Sequence, residues 1–241
     1  MANKNVLFIS GSLGLGHIVR DLALAREMRR QIPELKISWL AAHPANLMLK
    51  EAGEEILPEA DLYADDNIPA ENAASGFQLN LMQYLSNANQ EWKRNVDVFK
   101  QVIDKKQFDL IIGDETYEIT IALKKKYVEL ESPFVMIYDF LGCDSMTGNP
   151  IEKLNAYIWN WIWSGNKIFS DDKKLALFVG ELEDIPDMGF GFLLPRRREY
   201  ARKYYQFIGY IFPFDVADYS DKASIREKLG YGEGPLVVCS I

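Results

Sequence analysis

Apolar residues along this chain fall into short unbroken runs separated by stretches of helical spacing. Val6-Leu7-Phe8-Ile9-Ser10 is continuous and ends in glycines, which predicts a parallel strand buried on both faces. Ile18, Leu22, Ala25 and Met28 then recur at helical intervals. The unit is strand, glycine-rich turn, helix. It repeats in kind: Ile37 to Ala42 predicts a second strand, Ala45 to Glu51 a helix, Phe108 to Gly113 a strand, Thr116 to Val128 a helix, and Phe134 to Tyr138 a strand. Strands alternating with helices predict an α/β fold, a doubly wound and mostly parallel sheet.

Between these units, Phe77 to Lys105 carries Leu81, Tyr84, Leu85, Trp92, Val96, Phe99 and Ile103 at helix-compatible spacing without proline, and predicts one long or broken helix. Residues 139–200 are cut by glycines and prolines into short pieces. Within them Trp159 and Trp163 share one face at helical pitch while Trp161 points elsewhere. Packing is one reading of that pair, and an acceptor-facing or lipid-facing aromatic surface is the other.

Gln206 to Tyr210 predicts a further strand, and Pro213 to Ser220 has the polar, proline-bearing character of an interdomain linker. Ser224 to Leu229 predicts a short helix, Gly230 to Gly234 a turn, and Leu236 to Ile241 an apolar strand. An apolar strand needs neighbours on both sides, so the expectation is a domain over 1–212, a linker and short helix over 213–234, and the first strand of a truncated second domain over 235–241.

Composition narrows the function classes. The 241 residues are 48% hydrophobic and 26% charged, an ordinary globular balance. A net charge of −8 and the lack of a long basic face disfavour nucleic acid. The basic cluster Arg196-Arg197-Arg198, with Arg202 and Lys203, is read first as a solvated helix start, with an acidic acceptor or an anionic membrane surface as the alternative. Cys143 and Cys239 stand far apart without metal-ligand spacing, so neither a zinc site nor a disulfide framework is expected. No apolar run reaches the length of a spanning helix and no signal peptide is evident. A cytoplasmic protein is expected, one that can still touch the inner face of the membrane from one side.

Chemistry concentrates at Gly11-Ser12-Leu13-Gly14-Leu15-Gly16-His17, in the turn where an open α/β sheet places its ligands. Free N–H groups at the start of the following helix favour anions there. A phosphate-binding loop needs Lys and Ser or Thr where His17 and Ile18 stand, and a dinucleotide fingerprint needs Gly or Ala where Val19 stands and an acid where the second strand ends in Ala42-His43. Both are therefore disfavoured. What remains is a histidine in the first turn of the helix, either a packing residue or a base. The strand ending at Gly113 releases Asp114 and Glu115 at the same sheet edge. Asp114 is read either as the partner that orients His17 or as the cap of the helix from Thr116. Glu115 and Glu118 are weaker candidates for the acidic role. His43 is read as a loop residue.

The segment from Val6 through His17, followed by Asp21-Leu22-Ala23-Leu24-Ala25, resembles the opening of GT-B glycosyltransferases, a family that includes lipid II, diacylglycerol, glucuronosyl and natural-product transferases. Phe108 to Asp114, Phe207 to Tyr210 and Gly234 to Ile241 are similar to later strands of that fold, in the same order. The resemblance implies a Rossmann-like N-terminal acceptor domain, and an inverting transfer from a nucleotide-sugar, UDP-linked by preference, to the hydroxyl of a small-molecule, glycan or lipid acceptor. It implies His17 as base, Asp114 as its orienter, and Gly11, Ser12, Gly14, Gly16 and Glu115 around donor and acceptor, with no metal and no cofactor beyond the nucleotide-sugar co-substrate. It further implies that the 1–241 chain alone lacks transfer activity. Two other classes stay open: a non-catalytic binding module of the same fold, and a nucleotide-sugar epimerase relying on Glu115 or Glu118.

Overall fold

The computed structural model describes residues 4–11, 14–76, 78–165 and 168–237. The chain divides into two compact units, Met1–Ile211 and Phe212–Ile241. The first begins with β1 (Asn5–Ser10), α1 (Gly16–Gln31), β2 (Lys36–Leu40), α2 (Ala45–Glu51) and the short β3 (Glu55–Ile56). Then come α3 (Asn67–Ala73) and a small hairpin, β4 (Ala74–Ser75) with β5 (Gln78–Leu79), before α4 (Leu81–Lys105). It continues through β6 (Leu110–Asp114), α5 (Tyr117–Lys124), β7 (Phe134–Tyr138), α6 (Pro150–Ser164), β8 (Lys174–Phe178), α7 (Arg197–Tyr204) and β9 (Tyr205–Phe207). In the second unit the helix α8 spans Lys222–Lys228.

Seven strands form one sheet in the order β3-β2-β1-β6-β7-β8-β9, every pairing parallel. Successive residues of β1 serve opposite faces, as the pleat requires. Val6 and Phe8 join Ile18, Leu22 and Trp39 in one core, while Leu7 and Ile9 join Phe99, Ile111 and Phe134 in the other. The continuous apolar run is thus explained by burial on both sides. Both sheet edges are very short strands, which limits the unpaired backbone they present.

The strand order reverses between β1 and β6, so the chain leaves these neighbours in opposite lateral directions and opens a crevice at their carboxyl ends. Ser10, the last residue of β1, pairs with Asp114, the last residue of β6. This register brings the glycine-rich turn and the acidic pair Asp114-Glu115 to one place.

Several elements depart from sequence expectation. The helix expected to reach Val128 ends at Lys124. Its three lysines bury nothing, and Lys126 takes a left-handed φ of 57° that closes the end through Tyr127 N–H to Ala122 O at 2.9 Å and Lys126 N–H to Leu123 O at 3.1 Å. The long helix starts at Leu81, because the Asn80 side chain accepts from Gln83 N–H and caps it, and Gln78–Leu79 pair in the hairpin instead. Within residues 139–200, read as irregular, β8 adds a strand beside β7. The strand expected over Gln206 to Tyr210 is β9, which starts at Tyr205 and ends at Phe207. Leu236 and Val237 are exposed and carry no strand, and the rest of the expected strand, 238–241, lies outside the described residues.

Trp39 shows what holds the β1–β2 side together. Its ring is fully buried and stacked on Phe8 at 4.5 Å between centroids, and its indole N–H donates to Glu54 Oε2 at 2.6 Å. Replacing it with alanine is expected to destabilise the chain by about 3–5 kcal/mol in urea unfolding. The same change at Trp161, which is 60% exposed, should stay within about 0.5 kcal/mol.

Candidate active site

The site begins with backbone. Gly11 follows β1, and a Cβ there would stand 2.7 Å from the carbonyl oxygen of Asp114, so only glycine lets the two strand ends cross this closely. Gly14, at φ 80°, turns the loop and donates its N–H to Asn67 Oδ1 at 2.9 Å. Gly16 opens α1 with no side chain near its outward face. Ser12 and Leu13 lie outside the described residues.

From the first turn of α1, His17 and Arg20 are three residues apart and share a face. Arg20 Nη2 stands 2.6 Å from Asp114 Oδ1 and 2.7 Å from Oδ2, with Nε at 3.2 Å from Oδ2. Its Nη1 reaches Asp139 Oδ2, beyond the end of β7, at 3.1 Å. His17 Nδ1 lies 2.9 Å from Arg20 Nη2 and 3.4 Å from Asp114 Oδ2. His17 and Asp114, distant in sequence, therefore meet in the crevice, and a guanidinium that sequence reasoning overlooked sits between them. Asp114 does not cap α5, whose N-cap is Thr116.

Asp114 is fully buried. Burial alone would raise its carboxyl, but the hydrogen bond with His17 and the charge of Arg20 override it and hold the group below the usual carboxylate range. Burial pulls the Arg20 guanidinium down, and Asp114 more than restores it. Asp21 behaves oppositely. It is fully buried, accepts from Ser10 Oγ at 2.5 Å, and is pushed well above its ordinary value by burial and then by the charge of Asp114. Asp114, held toward its ionised form, thus lies beside an Asp21 held toward its protonated one.

Glu115 adopts φ 53°, a left-handed conformation that costs a non-glycine residue about 1–3 kcal/mol. The turn sends its carboxylate back into the crevice, where Tyr117 Oη donates to Oε1 at 2.8 Å and the Asp139 N–H at 3.2 Å. Burial, followed by the charge of Asp139, pushes this carboxyl well up. His17, Glu115 and Asp139 each bring one potential metal-ligating atom within 4.8 Å of the others. Arg20 already holds Asp139 and contacts His17, placing a fixed positive charge where a cation would bind. The trio is better suited to moving a proton or holding a hydroxyl than to holding a metal.

Behind His17 and Gly11 lies a cavity of about 340 Å³, walled by Tyr84, Tyr117, Tyr138 and Trp163 among others. Trp159 and Trp163 both face it, so the two aromatic residues expected to share a face do so, while Trp161 turns outward. Asp66 and Glu118 also line it; burial and then neighbouring acids push them to about 7 and about 8. His43 is exposed on its loop. The arginine cluster does start a helix, α7, with Arg196, Arg202 and Lys203 exposed, but Arg197 departs from that reading: it is buried and paired with Asp144 at 2.7 Å, while Arg198 donates to the Ile185 and Glu183 carbonyls. Among the described residues, no helix is long and apolar enough to cross a membrane.

No family model matches the sequence, and no curated protein matches it. In structure the chain is similar to the glycotransferase of kitacinnamycin, at 12% identity and TM-score 0.50, over 87% of this chain and 52% of that one. It is similar also to CalG4, the calicheamicin glycosyltransferase, at 13% identity and TM-score 0.50, over 87% and 53%. The likeness is one of fold, the Rossmann-like arrangement of a GT-B glycosyltransferase domain. The chain spans about half the length of either structure.

Two predictions follow from the charges. Arg20→Leu leaves Asp114 buried without its counter-ion and should destabilise the chain by about 3–5 kcal/mol in denaturant unfolding, whereas Arg20→Leu with Asp114→Leu should recover much of that loss. The raised carboxyls of Asp66 and Glu118 give stability that is full below the ordinary carboxylate range and lost as pH rises through about 7 to about 8. The thermal midpoint should therefore fall from about pH 5 to about pH 8, and Glu118→Gln should flatten the decline. A midpoint rising over that interval would contradict the assignment.

Proposed function

We propose that this chain is the acceptor-binding half of an inverting glycosyltransferase that uses a nucleotide-sugar, UDP-linked by preference, with His17 as the base and Asp114 as the residue that positions it. The observation that carries this reading is the meeting of His17 and Asp114 at the β1–β6 crevice, open to an aromatic cavity, in a fold shared with two glycosyltransferases. As the acceptor oxygen bonds to the anomeric carbon, its proton passes to His17 Nε2. The bond from that carbon to the diphosphate breaks, and its electron pair leaves with the nucleotide diphosphate.

For Nε2 to accept a proton, Nδ1 must carry one. Arg20 Nη2 has two hydrogens and three acceptors within reach: both Asp114 oxygens and His17 Nδ1. Releasing the imidazole leaves both bonds to Asp114 in place. Nδ1–H then turns to Asp114 Oδ2, and the carboxylate stabilises the imidazolium as it forms. Gly14 and Gly16 keep the turn clear for the donor diphosphate, which the N–H groups at the start of α1 favour.

The raised carboxyl of Glu115 beside this cluster favours one second reading, acid–base chemistry on the nucleotide-sugar itself, as in an epimerase. In a polypeptide joining these residues to a donor-binding half, His17→Ala is expected to lower kcat for sugar transfer by about 100-fold or more with donor binding kept. Transfer at an undiminished rate would remove His17 from the mechanism. Conversion of the UDP-sugar without any acceptor, abolished by Glu115→Gln and not by His17→Ala, would establish the epimerase instead.

A further inference from the structure

The cavity behind His17 does not end at the aromatic wall. A second space of about 700 Å³ lies along α4, α5 and α6, lined by Met82, Val96 and Ala122 among others. Leu85, Trp92, Glu118, Ile121 and Trp159 border both spaces. Trp92 from α4 and Trp159 from α6 meet edge to face at 6.1 Å, and Tyr84 packs on Trp92 at 6.5 Å. The two rings form a shared wall between an inner chamber that opens on His17 and an outer groove that opens to solvent.

The inner chamber is walled mainly by aliphatic and aromatic side chains, with His17, Glu115 and the Tyr117 hydroxyl at one end, whereas the outer groove mixes apolar residues with Ser86, Asn89, Lys93 and Asp97. A glycan filling such a chamber would bury hydroxyls against carbon, and each unpaired polar group so buried is unfavourable. A ligand with one polar end and an apolar body meets matching surface along the inner chamber. Pockets of this size and lining suit such molecules.

We propose that the inner chamber binds an amphiphilic alcohol, the hydroxyl at His17 and the apolar tail running to the Trp92–Trp159 wall, and that these two rings set the length of tail accepted. That this alcohol is the sugar acceptor rests on the transferase reading, whereas its binding does not.

The test uses the 1–241 chain without any sugar donor, so absence of transfer has no bearing on its result. Primary n-alkanols from hexanol to dodecanol are titrated against tryptophan fluorescence, with maltose as the hydroxyl-rich comparison. Affinity is expected to tighten by about three- to four-fold for each added methylene until the tail fills the available length. Leu85→Trp, which adds bulk at the shared border, should end that rise at a shorter alcohol; Trp159→Ala, which opens it, should extend the rise to a longer one. The Leu85→Trp arm removes no packing, so it stands even if Trp159→Ala fails to fold. Affinity independent of tail length, an unchanged limit in Leu85→Trp, or maltose binding tighter than the alkanols would overturn the proposal.

Discussion

Two opposite charges, Arg20 and Asp114, are removed from water together where α1 crosses the end of β6. Each ion alone would be disfavoured there by several kcal/mol, so neither position tolerates a neutral replacement while the other keeps its charge. The pair fixes the rotation of α1 about its axis, because the guanidinium meets the carboxylate through both oxygens. That rotation decides where His17, one turn earlier, projects. Through Nη1 the same guanidinium ties in Asp139 after β7, so a single side chain joins α1 to two adjacent strand ends.

The surrounding acids are governed by that arrangement. Asp114, paired with Arg20, is held toward its ionised form; Asp21 and Glu115 lie close enough to feel its charge and are held toward their protonated forms. Similar carboxyls at one site are thereby given opposite proton preferences by burial and pairing alone. A site with one acid held low, one imidazole and one acid held high is equipped for proton transfer, and the left-handed Glu115 is the local conformational strain that sends the last of these into it.

Much of the frame was legible because parallel strands buried on both faces leave continuous apolar runs, and Val6–Ile9, Leu110–Gly113 and Phe134–Tyr138 are such runs. Gly11 and His17 could be singled out because the turn after the first strand is where this topology places ligands. Arg20 was harder to read. On a helix with Ile18, Leu22 and Ala25 inward, an arginine beside that stripe looks like solvated surface, and only the register Ser10 opposite Asp114 shows the anion waiting for it. Its three-residue spacing from His17 was the available signal. Arg197 misled for the same reason, since it is buried against a partner, Asp144, that is remote in sequence. β8 went unread although Leu175–Val179 is a continuous apolar run, because the glycines and prolines on either side made the whole stretch 139–200 read as short irregular pieces.

The cavity depends on this frame as well: α4, α5 and α6 enclose it, and His17 stands at its mouth only while Arg20 holds α1 in place. The most direct measurement is the nitrogen NMR spectrum of the His17 imidazole in the intact chain. The account predicts a ring protonated at Nδ1, with Nε2 free, and a clear change in that spectrum when Asp114 is replaced by asparagine. A ring protonated only at Nε2 and indifferent to that substitution would contradict it.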